Sequence, residues 1–141
     1  MGDTPSVMLV EDDLAIYDLY LQNLERQGHK IVFAAESGEQ VAEAIAENIL
    51  PEADLAVVDY RLEGRMNGLD VAKLILQENP RTKVLMATGE DSITRDALGL
   101  GFLILVKPFA MSALNRMLED ILPLLPEKAL PIAETVSQAQ K

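Results

Sequence analysis

The sequence predicts an α/β fold, a doubly wound parallel sheet with helices on both faces. Three observations predict it. Short apolar runs alternate with amphipathic segments about five times along the chain. Four of the five runs are nearly continuous in apolar residues, as strands buried on both faces should be. Four runs also end in a polar signature: Glu11-Asp12-Asp13, Asp59, Thr88 and Lys107-Pro108.

The elements follow in order. The first strand is Val7–Val10, and Asp13 is expected to cap the helix after it, whose inner face is read as Leu14, Tyr17, Leu21 and Leu24. Gly28 offers that helix a stop. The second strand is Lys30–Ala35. Ser37 begins the second helix as N-cap, with Val41, Ala44, Ile45 and Ile49 inward, before Pro51. The third strand, Leu55–Val58, leads to Asp59. Leu69, Ala72, Leu74, Ile75 and Leu76 mark the third helix, which ends near Asn79-Pro80. Lys83–Ala87 is the fourth strand. The fourth helix, about Ser92 to Leu98, is short and is interrupted by Gly99 and Gly101. Phe102–Val106 is the fifth strand, and the last helix carries Met111, Leu114, Met117, Leu118, Ile121 and Leu122. Right-handed crossovers should join these units. Pro123, Pro126 and Pro131 then change the character of the chain. Residues 1–122 are expected to form one domain and 123–141 a Pro-rich, then polar, C-terminal tail, with room for a short helix from Ile132 to Ala139.

With 141 residues, 49% hydrophobic and 25% charged, the chain is globular rather than disordered. It has no cysteine, which excludes disulfides, thiolate catalysis and Cys-based metal sites. No run approaches the ~20 apolar residues of a membrane helix, and the N-terminus lacks a signal-peptide pattern. A cytoplasmic location is therefore expected. The formal net charge of −11 disfavours nucleic acid and anionic membrane as partners, though not a basic protein surface.

Ligands of open α/β sheets gather at the carboxyl ends of the strands. Glu11/Asp12, Asp59, Thr88 and Lys107 should all emerge there. Polar residues commonly follow strands, so each has a bland reading alone, and Glu11 could be a helix N-terminal acid. Together, an acid pair, a lone Asp, a hydroxyl and a lysine are what a Mg²⁺-assisted aspartyl-phosphate site needs.

In order and spacing, Val-Glu-Asp-Asp at 10–13, Val-Asp-Tyr-Arg-Leu at 58–62, Asn-Gly-Leu at 67–69, Ala-Thr-Gly at 87–89 and Val-Lys-Pro-Phe at 106–109 resemble the receiver domain of two-component response regulators. The resemblance covers roughly Ser6 to Leu122. It implies a flavodoxin-like five-stranded sheet in order 2-1-3-4-5, here with a reduced fourth helix. It implies Asp59 as phosphoacceptor, and Mg²⁺ (or Mn²⁺) held directly by Asp12 and Asp59, through water by Glu11, and by the backbone carbonyl of Arg61. A hard cation with oxygen ligands suits that set. Lys107 would supply a fixed positive charge and Thr88 a hydroxyl donor to the phosphoryl group, with Gly89 leaving the approach open. A cis Lys107-Pro108 bond is implied as well. Glu90 and Arg61 lie where receivers tune dephosphorylation. The only histidine, His29, is read as solvated in a turn, and the methionines as core filler.

The implied partners are a histidine kinase or phosphotransfer protein as donor and an unidentified downstream protein, with the chain a monomer or weak homodimer. It is expected to catalyse only its own phosphorylation and dephosphorylation. With no further domain expected after Pro123, output should pass through another protein. Ile104 stands where the family's switch has an aromatic, so output is expected to rely on reordering of the fourth helix. The loop Glu63–Asn67 is longer than usual and lacks the usual proline. Two other classes share parts of this pattern. A haloacid-dehalogenase-type phosphatase wants a second Asp where Arg61 stands. A phosphorylation-independent pseudo-receiver would not need the intact acid, hydroxyl and lysine set. Flavin or nucleotide binding is disfavoured because acids replace a glycine-rich loop after the first strand.

Overall fold

The computed structural model describes residues 5–89 and 99–121. Over them the chain runs β1 (Ser6–Val10), α1 (Leu14–Arg26), β2 (Lys30–Ala35), α2 (Gly38–Ala46), β3 (Leu55–Asp59), α3 (Gly68–Glu78), β4 (Lys83–Thr88), β5 (Leu103–Val106) and α4 (Met111–Ile121). The strands form one parallel sheet in the order β2-β1-β3-β4-β5, as expected. The fourth helix expected at Ser92–Leu98, Glu90, and the tail from Pro123 lie outside the described residues.

Side chains alternate across each strand, and that period builds two cores. Met8, Val10, Ala56, Val58, Val84 and Met86 point to one face, where Val41 of α2 and Val71, Ala72 and Ile75 of α3 cover them. Val7, Leu9, Leu55, Val57, Leu85 and Leu105 point to the other, under Tyr20 and Leu24 of α1 and Leu114, Leu118 and Ile121 of α4. β1 and β3 are buried along their whole length, which is why they read as unbroken apolar runs.

The edge strands differ from the reading. β2 is half-buried over most of its length. β5 is also an edge strand, and its Val106 is 59% exposed. On α1, Tyr17, Leu21 and Leu24 pack on the core as expected, but Leu14 does not. Leu14 is 58% exposed, while Tyr20, Asn23 and Leu24 are buried. Asn23 is tolerated inside because its side-chain amide exchanges two hydrogen bonds with that of Asn115 on α4, at 2.7 and 3.1 Å. Ile49 falls past the end of α2 and is exposed. His29 is not solvated but 8% exposed. Its backbone N–H donates to the Leu24 carbonyl at 3.0 Å, folding it back against the end of α1. Burial pushes the imidazole pKa down.

The helix starts are set by side-chain caps. Asp13 accepts from Ala15 and Ile16 N–H, and Ser37 from Gln40 N–H. Asn67, which the sequence reading did not single out as a cap, forms a reciprocal capping box with Asp70. Gly68 then begins α3 directly beneath β3. A Cβ there would lie 2.4 Å from the Asp59 carbonyl oxygen and 2.6 Å from Tyr60 Cα. Only glycine lets α3 start this close to Asp59. Gly68→Ala should therefore lower unfolding free energy by about 1–3 kcal/mol. Gly99→Ala, where a Cβ meets nothing within 4 Å, should stay within about 0.5 kcal/mol. Urea unfolding of both variants checks this.

Candidate functional site

Parallel register brings the strand ends level. Val10 pairs with Val58, Asp59 with Ala87, and Thr88 with Val106. The residue after each strand is fixed by one more backbone bond: Glu11 N–H to the Ala35 carbonyl, Tyr60 N–H to the Ala87 carbonyl, and Lys107 N–H to the Thr88 carbonyl, all within 3.0 Å. The sheet itself therefore delivers Glu11, Asp59, Thr88 and Lys107 to one edge.

There, one carboxylate oxygen each from Glu11, Asp12 and Asp59 lies within 4.8 Å of the others. Glu11 and Asp59 are 1% and 3% exposed. Lys107 Nζ makes an ion pair with Asp59 Oδ1. The Lys107-Pro108 bond is cis, as the resemblance implied. Asp59, Tyr60, Arg61, Ala87, Thr88, Gly89 and Lys107 line a cleft of about 320 Å³. Every predicted site residue is thus at this end of the sheet. Arg61 is exposed at the rim and Thr88 is buried in the wall. Ile104 instead packs against the core cluster on the α2/α3 face.

Electrostatics follow from that crowding. Glu11 Oε2 accepts from Asp13 N–H at 3.1 Å, while the buried Oε1 has no hydrogen-bond partner among the described residues. Burial, opposed by the Asp13 N–H and reinforced by the Asp59 charge, pushes the Glu11 pKa up to about 7. Burial also raises that of Asp59, against the opposing hydrogen bond and charge of Lys107. Behind the acids, the Tyr20 hydroxyl is buried and without a partner among the described residues. Burial, then the Glu11 and Asp59 charges, push its pKa up.

Three carboxylates facing one lysine leave an excess of negative charge. A buried carboxylate oxygen with no partner is costly unless something binds it. An all-oxygen set of this size fits a hard divalent cation.

A sequence model of the response regulator receiver domain matches residues 7–119. Among curated relatives, the alkaline phosphatase synthesis transcriptional regulatory protein PhoP of Bacillus subtilis is 29% identical over 119 residues, covering 82% of this chain and 48% of that protein. The acid tolerance regulatory protein ActR of Sinorhizobium medicae is 35% identical over 111 residues, covering 77% and 55%. The chain thus spans about half the length of the curated relatives it matches. Among solved structures, the non-phosphorylated HemR receiver domain of Leptospira biflexa superposes with a TM-score of 0.74 at 25% identity, covering 89% of this chain and all of that one. CheY in the CheX–CheY–BeF3–Mg complex of Borrelia burgdorferi gives a TM-score of 0.70 at 21% identity, with 82% and 87% covered. The chain belongs to the response regulator receiver domain family, the signal-accepting unit of two-component systems. No described helix is long and apolar enough to cross a membrane.

The raised Glu11 pKa has a consequence for stability. The folded protein holds this proton more tightly than the unfolded chain does. Glu11 therefore favours folding fully below pH ~4.5, and that contribution is lost as pH rises through about 7. Without divalent cation, Glu11→Gln should unfold at higher urea than wild type at pH 8, by on the order of 2–3 kcal/mol. The gap should close at pH 5. Urea unfolding in chelator at the two pH values measures it.

Proposed function

We propose that this chain is a Mg²⁺-dependent phosphoacceptor, taking a phosphoryl group from a histidine kinase or phosphotransfer protein onto Asp59. The observation that carries this reading is the Asp59 carboxylate, ion-paired to Lys107 and crowded by two further acids at the mouth of an open cleft. The receiver unit is read as residues 1–122 and the tail as 123–141, a division supported by the family match over 7–119.

In the transfer, a carboxylate oxygen of Asp59 attacks phosphorus in line with the donor imidazole. The O–P bond forms as the N–P bond breaks, and the leaving imidazole keeps the electron pair and takes a proton from solvent. Bound Mg²⁺ supplies the charge that lets carboxylate and phosphoryl oxygens approach. Asp12, Asp59 and the Arg61 carbonyl would hold it, with Glu11 through water. That Glu11 Oε1 has no hydrogen-bond partner among the described residues supports that assignment. Lys107 already neutralises Asp59 and would move its charge onto an equatorial phosphoryl oxygen. The Thr88 hydroxyl would donate to the same group from the end of β4, next to Lys107. Return to the resting state needs only water at phosphorus, so the reaction has no product beyond phosphate.

A phosphatase acting on small esters is the competing chemistry. It would want an acid two positions after Asp59, where Arg61 stands. Because the relatives named as transcriptional regulators are about twice as long, their output is not carried over. A signal here is read as passing to a downstream protein.

Incubation with acetyl phosphate and Mg²⁺ should add one phosphoryl group by intact mass. Asp59→Ala and EDTA should each abolish it, and Lys107→Ala should slow it by about 10²-fold. No adduct on a folded, Mg²⁺-binding protein would favour a phosphorylation-independent binding module. Steady turnover of small phosphate esters would favour the phosphatase.

A further inference from the structure

The loop joining β3 to α3, Tyr60 to Asn67, contains no helix or strand. Its backbone is nonetheless taken up by acids from the loop after β1 and from α2. Glu63 N–H donates to Asp12 Oδ2 at 2.9 Å, and Arg65 N–H donates to Glu39 Oε2 at 2.9 Å. Glu39 stands in the first turn of α2, where an acid would ordinarily just complement the helix dipole. Here its carboxylate reaches out of the helix to the loop. The Arg65 N–H, and after it its own N–H, hold the Glu39 carboxyl below the usual range.

Close packing makes the joint specific. Gly64, with φ of +103°, comes so near that a Cβ would sit 2.7 Å from Glu39 Oε1. Gly38, beside Glu39, comes equally near Met66, where a Cβ would sit 2.7 Å from Met66 Cβ. Two glycines thus let the start of α2 and the loop interlock. Both captured N–H groups lie in the span Glu63–Arg65, so loosening one loosens the other. That span begins two residues after Arg61, and one of its two anchors is Asp12 itself.

We propose that Glu39 is a positioning residue for the cation site. From α2 it latches the β3–α3 loop, so that the Arg61 carbonyl and the Asp12 carboxylate stay set for a divalent cation. This rests on the reading of Glu11, Asp12 and Asp59 as that site. The latch needs a carbonyl-type acceptor at position 39, not a charge.

The test is calorimetric Mg²⁺ binding to the full chain, wild type beside Glu39→Ala and Glu39→Gln, with amide exchange at Glu63 and Arg65 in the cation-free protein. Glu39→Ala should weaken Mg²⁺ binding by about three- to tenfold and speed exchange at both amides. Its thermal midpoint should stay within about 2 °C of wild type. Glu39→Gln keeps the acceptor and should restore affinity to within about twofold. Unchanged affinity in Glu39→Ala, with wild type binding normally, overturns the latch and leaves the cation site standing. Equal weakening by both variants also overturns it, because charge would then be what matters. Wild type failing to bind Mg²⁺ at millimolar concentration overturns the cation reading and the latch together.

Discussion

Three carboxylates held within 4.8 Å of one another, two of them almost fully buried, must repel each other and resist desolvation. Nothing local to Glu11, Asp12 or Asp59 would choose this arrangement. The parallel sheet imposes it. β1 and β3 are central strands buried on both faces, and their register places Val10 beside Val58, so the acids that follow are brought together whether or not their charges agree. The large apolar cores on the two faces supply the free energy that holds this crowded edge. Lys107, brought in by the strand beyond β4, offsets part of the repulsion through its ion pair with Asp59. The rest is left standing, as the raised pKa of Glu11 and its oxygen without a partner among the described residues record.

That residue of unfavourable charge is what makes the site responsive. A fully satisfied cluster would have no reason to take up a cation or a phosphoryl group. Binding interactions made only after the charge arrives act on the difference between states, which is what a switch requires. The loops around the acids show the same economy. The Asp12 carboxylate already holds Glu63 N–H, and the capping box at Asn67 pins the far end of the same loop. The site is pre-shaped at its backbone and unsatisfied at its charges.

Much of this was legible in the sequence, for a physical reason. A central parallel strand must be apolar at every position, so an acid or lysine at its end marks a sharp boundary. Asp59, Thr88 and the Glu11-Asp12 pair all stood out that way, and Lys107-Pro108 stood out at the end of the apolar run of the edge strand β5. Where burial is one-sided or supplied from a distance, the pattern failed. On α1, Leu14 is apolar yet exposed, while Asn23 is polar yet buried through Asn115, ninety-two positions away. His29 reads as solvated because nothing near it in sequence shows that the turn folds it inward. The role of Glu39 leaves no mark in the sequence, since its partner on the β3–α3 loop is a backbone N–H. Gly68 was visible as part of a motif, but the need for it, the Asp59 carbonyl beneath, is a tertiary fact.

The central claim is that the sheet gathers Glu11, Asp12 and Asp59 to hold one divalent cation beside Lys107. A crystal grown with Mn²⁺, with anomalous diffraction collected, tests it most directly. The account predicts one strong peak about 2.0–2.3 Å from carboxylate oxygens of Asp12 and Asp59, with Glu11 in its surroundings and the Arg61 carbonyl turned toward it. Well-ordered acids with no peak between them, or a peak held elsewhere on the chain, would contradict it.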